Sequence, residues 1–529
     1  MRNTAVMSIG TGLSRLTGFA RVAAMTAALG VAETRLADTY NVANTTPNIV
    51  YELVLGGVLS SVFVPVFVDW MQHHGERDAW DVAHRVMTLT FVALSIVAIL
   101  GIILAPAIID VYMARDVPAS SRALGSFFLR WFAPQIVFYG LGAVAAGLLN
   151  AHRRFAAPMF APVLNNLIAV ATFVTFMLLP GPDPAGPASI TSAQRFTLAI
   201  GTTLGVVAMT IALWPSLRRT GWRWHWNFGF RHAAVSRIVH LAKWTVVYVI
   251  VNQIALFVVI RIATRQQGDF TAAWAVAFIL FQLPHAIFAV SVFTALLPRM
   301  SARWSAGDMP GYRDLLGEGM RLTATVLIPA AIGYVVLSLP ITRLLFQYGN
   351  STVASAELIA SVLVPFAAGL FPFSLFQLLL RAYYAQKDTR TPALINVAAM
   401  LVTIAADLVL YFTFDLGVQG LALGFSIGYW FACAVALILL RRRVGLLQGR
   451  RTLATIARVL VASVLSGAAA WVVSDALADA VSLETFLGRG TQVLSAVAVG
   501  VLVFVGAALI LRIEEVDTFR EAFLARMRR

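Results

Sequence analysis

The chain has 529 residues, 59% of them apolar or aromatic and only 12% charged, with a mean hydropathy of +0.81. Soluble domains carry about twice that share of charge, so a water-soluble fold is excluded. With about 20 apolar residues needed per crossing, little chain is left over for a soluble domain. The formal net charge of +15, from 40 Lys and Arg against 25 Asp and Glu, would suit nucleic acid in a soluble protein; here its placement decides, and no nucleic-acid partner is expected. One cysteine, Cys433, sits in an apolar run, which excludes an intrachain disulfide and any cysteine-based metal or haem motif. No short apolar stretch with a small-residue cleavage site precedes the first span, so Met1 onward reads as mature chain.

Hydropathy broken by Pro, Gly and charge clusters predicts spans near 4 to 30, 37 to 68, 86 to 111, 123 to 149, 157 to 179 and 196 to 217. A second six follow near 238 to 264, 271 to 298, 322 to 342, 355 to 385, 391 to 413 and 418 to 440, and a last pair near 453 to 476 and 490 to 511. The expected fold is therefore an all-α polytopic membrane protein with 14 transmembrane helices. Of the 40 basic residues, 28 lie on the side shared by the N-terminus, 7 on the opposite side and 5 inside spans. Positively charged short loops resist translocation, which assigns both termini to the cytoplasm.

Three proline landmarks repeat at one offset: Pro65 with Pro298, Pro106 with Pro340 and Pro158 with Pro392, 233 or 234 residues apart. Phe132-Ala133 likewise falls on Phe366-Ala367. Six spans per copy is an even number, so the two copies share orientation and belong to the parallel-repeat architecture, which encloses a central cavity. The expected domains are 1–220 (helices 1 to 6), 221–443 (helices 7 to 12) and 444–529 (a helix pair and a short cytoplasmic tail).

Ionisable groups inside spans are costly and mark function by default. Arg130, Arg261 and Arg381 lie within about two turns of a span end, where a long side chain snorkels to the interface. Arg15 and Arg21 lie deeper, six residues apart on the first span and about 120° apart around it. Glu52 on the second span reaches nearly the depth of Arg15, so two readings stand: a neutralised pair, or a cavity cation open to an anionic ligand. The second span carries Asp38, Asn41, Asn44, Thr45, Thr46, Pro47 and Asn48, too polar for lipid. It is expected to face water, with Pro47 breaking its hydrogen-bond ladder and Gly56-Gly57 adding a bend. Thr403 and Asp407, one turn apart on the eleventh span, form a weak ion-site signal, and His285 after Pro284 a weaker one. Neither G-x-x-x-x-G-K-[ST] nor H-E-x-x-H occurs, so ATP-driven transport and membrane-bound catalysis have no visible site; no enzyme is expected.

Several segments resemble one family: Leu13-Ser14-Arg15-Leu16-Thr17-Gly18-Phe19-Ala20-Arg21, Ala37-Asp38, Pro47-Asn48 and the Gly57 to Phe67 stretch GVLSSVFVPVF. The second copy adds Gln282-Leu283-Pro284, Leu296-Leu297-Pro298 and Asp388-Thr389-Arg390-Thr391-Pro392. They are similar to the MurJ/MviN lipid II flippases of the multidrug/oligosaccharidyl-lipid/polysaccharide exporter superfamily. The Asn48 to Ser61 stretch looks like the actinobacterial branch, though this chain ends soon after the last span. The resemblance implies a peptidoglycan-building transporter of the bacterial cytoplasmic membrane, moving lipid II from the inner to the outer leaflet by alternating access between two six-helix lobes. It implies substrate contacts by Arg15, Arg21 and Asp38, beside which Asn48 and Glu52 are further candidate contacts, with Tyr51 and Ile279 standing where many members carry arginine. Asp407 and Thr403 fall where some members place sodium, so Na+ or H+ is the expected coupling ion and membrane potential a further drive. Expected partners are lipid II, membrane lipids and cell-wall synthesis or division proteins. The alternative is an exporter of another polyprenyl-linked glycan or a small drug.

Overall fold

The computed structural model describes residues 2–52, 64–229, 232–265, 270–446 and 448–515. The Gly56-Gly57 bend, residues 57–63 of the GVLSSVFVPVF stretch and the tail beyond 515 lie outside the described residues. Among the described residues all regular structure is helical, with no strand, as backbone in hydrocarbon must be when it is not a closed barrel. In chain order the helices begin with α1 (Arg2–Leu29), α2 (Leu36–Glu52), α3 (Val64–His74), α4 (Glu76–Ile103), α5 (Ala105–Tyr112) and α6 (Ala119–Phe132). Next come α7 (Gln135–Ala151), α8 (Ala156–Leu178), α9 (Ser192–Ile211), α10 (Trp214–Arg218) and α11 (Ala233–Ala263). The second half holds α12 (Phe270–Pro284), a π-turn at His285–Ala289, α13 (Val290–Ser305), α14 (Met309–Phe346), α15 (Val353–Ala367) and α16 (Leu370–Ala385). It closes with α17 (Arg390–Phe412), α18 (Gly417–Val444), α19 (Gly449–Ala480) and α20 (Phe486–Ile510).

Helix fills most of every predicted span over its described residues, with short turns inside four of them at 104, 133–134, 212–213 and 368–369. Ten helical segments are long and apolar enough to cross a membrane, eleven with the α15–α16 pair, which is bent by 49°. The rest are shorter or more polar: α1 with its two arginines, the 17-residue α2, and α11, whose apolar part is Val249–Ala263. By packing the chain forms two compact units, Met1–Ala272 with Tyr348–Thr352, and Ala273–Gln347 with Val353–Arg529. This division falls one helix later than the division by repeat.

The duplication inferred from prolines is repeated in the backbone. The bounds of α8 and α17 are 234 residues apart at both ends, and α7 and α16 end 234 apart. The turn after each is the same: Arg153 N–H bonds to Asn150 O and Arg154 N–H to Leu149 O, as Lys387 bonds to Tyr384 O and Asp388 to Tyr383 O. Arg153 and Lys387 both sit in the left-handed region, at φ 58° and 60°, a conformation costing a non-glycine residue roughly 1–2 kcal/mol. Such a cost at matching positions of two unlike residues marks an inherited turn geometry. Ahead of Pro106, α4 gives way to α5 at Leu104 (φ −87°, ψ 6°); ahead of Pro340, α14 kinks at Leu337 (φ −108°, ψ 15°). In both, the proline removes a ladder hydrogen bond and crowds the preceding turn.

In the first unit Tyr40 of α2 packs edge-on against Phe128, Phe132 and Phe173, with ring centroids 5.5–5.9 Å apart. Its hydroxyl shares a 2.8 Å hydrogen bond with Thr202 Oγ1 on α9. A second apolar cluster joins Phe67, Val82, Met87, Val144 and Leu148 to Trp222. In the second unit α17 packs along α18, and α19 and α20 pack on α14 around Leu337, Ala470 and Ala496. Cys433 is buried and free, as packing requires. One expectation is corrected: α2 is helical straight through Pro47. A proline removes one N–H from the ladder, and the neighbouring bonds are enough to carry the helix past it.

Candidate functional site

The first helix sorts its two arginines by what it packs against. Asn166 Nδ2 of α8 donates to Ser14 O and to Thr17 Oγ1, both at 3.2 Å, and Gly18 faces the same Asn166. At 100° per residue, Thr17, Gly18 and Arg21 all lie within about 60° of Ser14, so Arg21 shares the face that meets α8. It is half-buried, and its charge acts on the hydroxyl ends of Tyr40 and Tyr139. Arg15, turned about 100° away from Ser14, is exposed, as are its neighbours Leu13 and Leu16. Among the described residues neither arginine has an ion-pair partner. The Arg15–Glu52 pair is therefore not formed; Glu52, itself exposed, accepts a 2.6 Å hydrogen bond from Gln253 Nε2 on α11.

The polar residues of α2 divide likewise. Asp38 is only 4% exposed, and its Oδ1 accepts from the backbone N–H of Ala272 at 2.7 Å. Ala272 lies in the opening turn of α12, where the first N–H groups lack intrahelical partners and a carboxylate is the best acceptor for them. Arg35, one turn earlier, acts on the same carboxyl group and donates to Thr264 O at 3.4 Å. Asn48 Oδ1 accepts from the Tyr139 hydroxyl at 3.2 Å, and Tyr139 lies against the Tyr51 ring at 4.4 Å between centroids. Asn41 Nδ2 and Asn44 Oδ1 are buried without a protein partner among the described residues; each such group costs roughly 1–3 kcal/mol unless water or a ligand meets it. Polar interior of this kind supports the wet face expected of the second span.

Asp407 and Thr403 lie in the second unit, 0% and 3% exposed. Their room is made by glycines of α18: a Cβ on Gly424 would stand 2.0 Å from Asp407 Oδ1, and one on Gly428 1.9 Å from Thr403 Oγ1. Among the described residues both Asp407 oxygens and Thr403 Oγ1 lack a partner, and so do both polar atoms of Asn396, two turns before Thr403. An ionised carboxylate isolated in such a place is untenable, so its charge must be met by a proton or a small cation. The donor set fits the hard, oxygen-seeking cations. His285 bonds to Ser374 Oγ at 2.8 Å and lies 4.7 Å from the Phe373 ring.

Tyr139, Gln253 and Asn396 were not legible as site residues. Helical spacing from Thr403 points to Asn396; the other two are brought in by neighbours 91 and 201 residues away, and no local pattern marks them.

Taken together, crossing helices, an inherited duplication and buried polar groups without partners define a multi-pass membrane transporter, and solved structures agree on its fold. A multidrug resistance MATE family transporter of the MOP superfamily, in an inward-facing conformation, matches with a TM-score of 0.66 at 13% identity, over 82% of this chain and 96% of that one. A lipid II flippase MurJ in an inward closed conformation matches with a TM-score of 0.77 at 20% identity, over 96% and 99%. The model of the lipid II flippase MurJ family matches residues 25–489, and the chain belongs to that family. Relatives include a probable lipid II flippase MurJ of Rhizobium meliloti, 28% identical over 472 residues, covering 88% of this chain and 85% of the relative. The lipid II flippase MurJ of Burkholderia cenocepacia is 28% identical over 445 residues, 82% of each.

Proposed function

We propose that this protein moves lipid II from the inner to the outer leaflet of the bacterial cytoplasmic membrane, both termini facing the cytoplasm, by alternating access between its two repeats. The observation that carries the reading is Arg21: a guanidinium without an ion-pair partner among the described residues, held by the α8-facing side of the first helix in a chain whose family is named for that substrate. A guanidinium offers a planar fork of donors that matches phosphate oxygens two at a time. Arg21 binds the pyrophosphate, Arg15 meets it from the exposed face, and Asn48 and Glu52 offer polar contacts to the sugars and peptide. Asp38 acts as a positioning residue through Ala272. The headgroup cannot enter hydrocarbon unaided, because each unpaired polar group costs several kcal/mol there; polar protein surface replaces its water.

Direction follows from charge. Two negative charges leaving a negative-inside compartment release roughly 4–5 kcal/mol per 100 mV, so membrane potential biases the cycle without ATP. Asp407 and Thr403 couple a sodium ion or a proton to the same cycle. The function is tested in a bacterium depleted of its own flippase. The gene restores growth and outer-leaflet labelling of lipid II, and Arg21→Ala loses both while Arg21→Lys retains part. Full rescue by Arg21→Ala overturns the anion role, and failure of the unaltered gene to rescue, with export of a drug or another polyprenyl-linked glycan instead, overturns the lipid II reading.

A further inference from the structure

The first unit holds a second basic centre away from Arg15 and Arg21. A cavity of about 710 Å³ opens between α5, α6 and α11 and is lined by Asp110, Val111, Arg115, Arg122, Phe257 and Arg261 among others. Three guanidinium groups thus face one carboxylate. Asp110 reaches Arg122 only at 3.5 Å and is 58% exposed, a surface contact that neutralises little. Arg115 has no ion-pair partner among the described residues. Two donors on the lining residues, Arg122 Nε and Arg261 Nη1, are buried and without a partner among the described residues. Arg261, two residues before the end of α11, is therefore not simply snorkelling to water.

The placement runs against the charge bias of the chain. Only 7 of the 40 basic residues fall in loops opposite the N-terminus, because arginine there opposes insertion. Two of those seven, Arg115 and Arg122, converge here with an arginine from inside a span. We propose that this cavity is an oxyanion-binding subsite at the outer end of the first unit, which receives the phosphate or the peptide carboxylate of the translocated headgroup as it leaves. Phe257 supplies an apolar wall, and the volume lies in the range of small-ligand sites. The ligand's identity rests on the flippase reading; the oxyanion chemistry rests on the cavity alone.

The test places a thiol at the rim as Val111→Cys, a position 56% exposed, the native Cys433 being buried. A membrane-impermeant maleimide labels it from outside in right-side-out vesicles. Inorganic pyrophosphate, or N-acetyl-alanyl-alanine as the carboxylate source, slows labelling by about tenfold at ten times its Kd, while chloride at equal ionic strength does not. The probe that protects identifies which oxyanion the site takes. Adding Arg122→Gln and Arg261→Gln abolishes protection. Thermal stabilisation of the detergent-solubilised protein by the same probes, present with the native arginines and absent in the double variant, gives the same answer without the cysteine. Protection by neither probe, protection that survives the double variant, or labelling only from inside overturns the proposal. Growth rescue without protection defeats this subsite alone; protection without rescue leaves the subsite standing and defeats the lipid II reading.

Discussion

Gly424→Ala tests whether α18 is built around the Asp407 side chain. The added methyl would stand 2.0 Å from Asp407 Oδ1 and 3.0 Å from Asp407 N. An ordinary carbon–oxygen contact is about 3.3 Å, so the carboxyl group must move by more than about 1 Å, and the nearby backbone nitrogen limits how far the helices slide to help. Overpacking of this kind costs about 1–3 kcal/mol. Against it stands the intrinsic gain of alanine over glycine in a helix, up to about 1 kcal/mol. Gly506 on α20 isolates that gain, since a Cβ there meets nothing within 4 Å. The two substitutions should differ by about 1–3 kcal/mol, Gly506→Ala being the more stable, because the propensity gain is common to both and cancels. Reversible unfolding in mixed detergent micelles measures each free energy. Asp407→Ala combined with Gly424→Ala should recover most of the loss, as the atom in the way is gone. Equal stability of Gly424→Ala and Gly506→Ala, or a double variant showing simple additivity, would refute the packing argument.

Three further outcomes are expected. Asp407→Asn should abolish any dependence of lipid II transport on sodium or on the pH gradient while the protein remains folded; unchanged ion dependence in vesicles removes the coupling role. Arg321 and Glu515 form an ion pair at 2.5 Å with side chains 8% and 6% exposed, and Arg321 also donates to Gln448 Oε1 at 3.2 Å. Losing either partner alone, by Arg321→Met or Glu515→Leu, should cost about 3–5 kcal/mol and losing both together less, measured as a double-mutant cycle in the same micelles. Asp388 follows pH: burial pushes its carboxyl up, but bonds from the Thr391 hydroxyl and N–H and from Arg443 outweigh that and hold it below the usual carboxylate value. With the folded pKa below the unfolded one, its stabilisation is present above about pH 4 and lost as pH falls through the folded value. The melting temperature of the native protein should exceed that of Asp388→Asn at pH 6 and converge on it as pH falls through that folded value.

Composition and periodicity alone determined a great deal here. Crossing helices, their order and the duplication are legible because hydrocarbon imposes one constraint on every span, and because a turn inherited twice keeps its landmarks, as Arg153 and Lys387 do. The glycines of α18 and the polar stripe of α17 were also present in the sequence, but only as separate patterns; which atom of one fills which gap of the other depends on the register between two helices, and that is set by packing.

The arginines show the same division more sharply. Sequence put Arg15 and Arg21 some 120° apart on one helix; that Arg21 and not Arg15 shares the face meeting α8 was decided by the contact of Ser14, Thr17 and Gly18 with Asn166. It also put Glu52 at the depth of Arg15, yet Gln253, two hundred residues on, took the carboxylate, because hydrogen bonds form between neighbours in space and helical rise reports depth but not azimuth. Pro47 read locally as a break and is instead one missing bond in a helix otherwise intact. The convergence of Arg115, Arg122 and Arg261 could not be read at all, since three residues scattered over nearly 150 positions become one charged cavity only when α5, α6 and α11 are brought side by side.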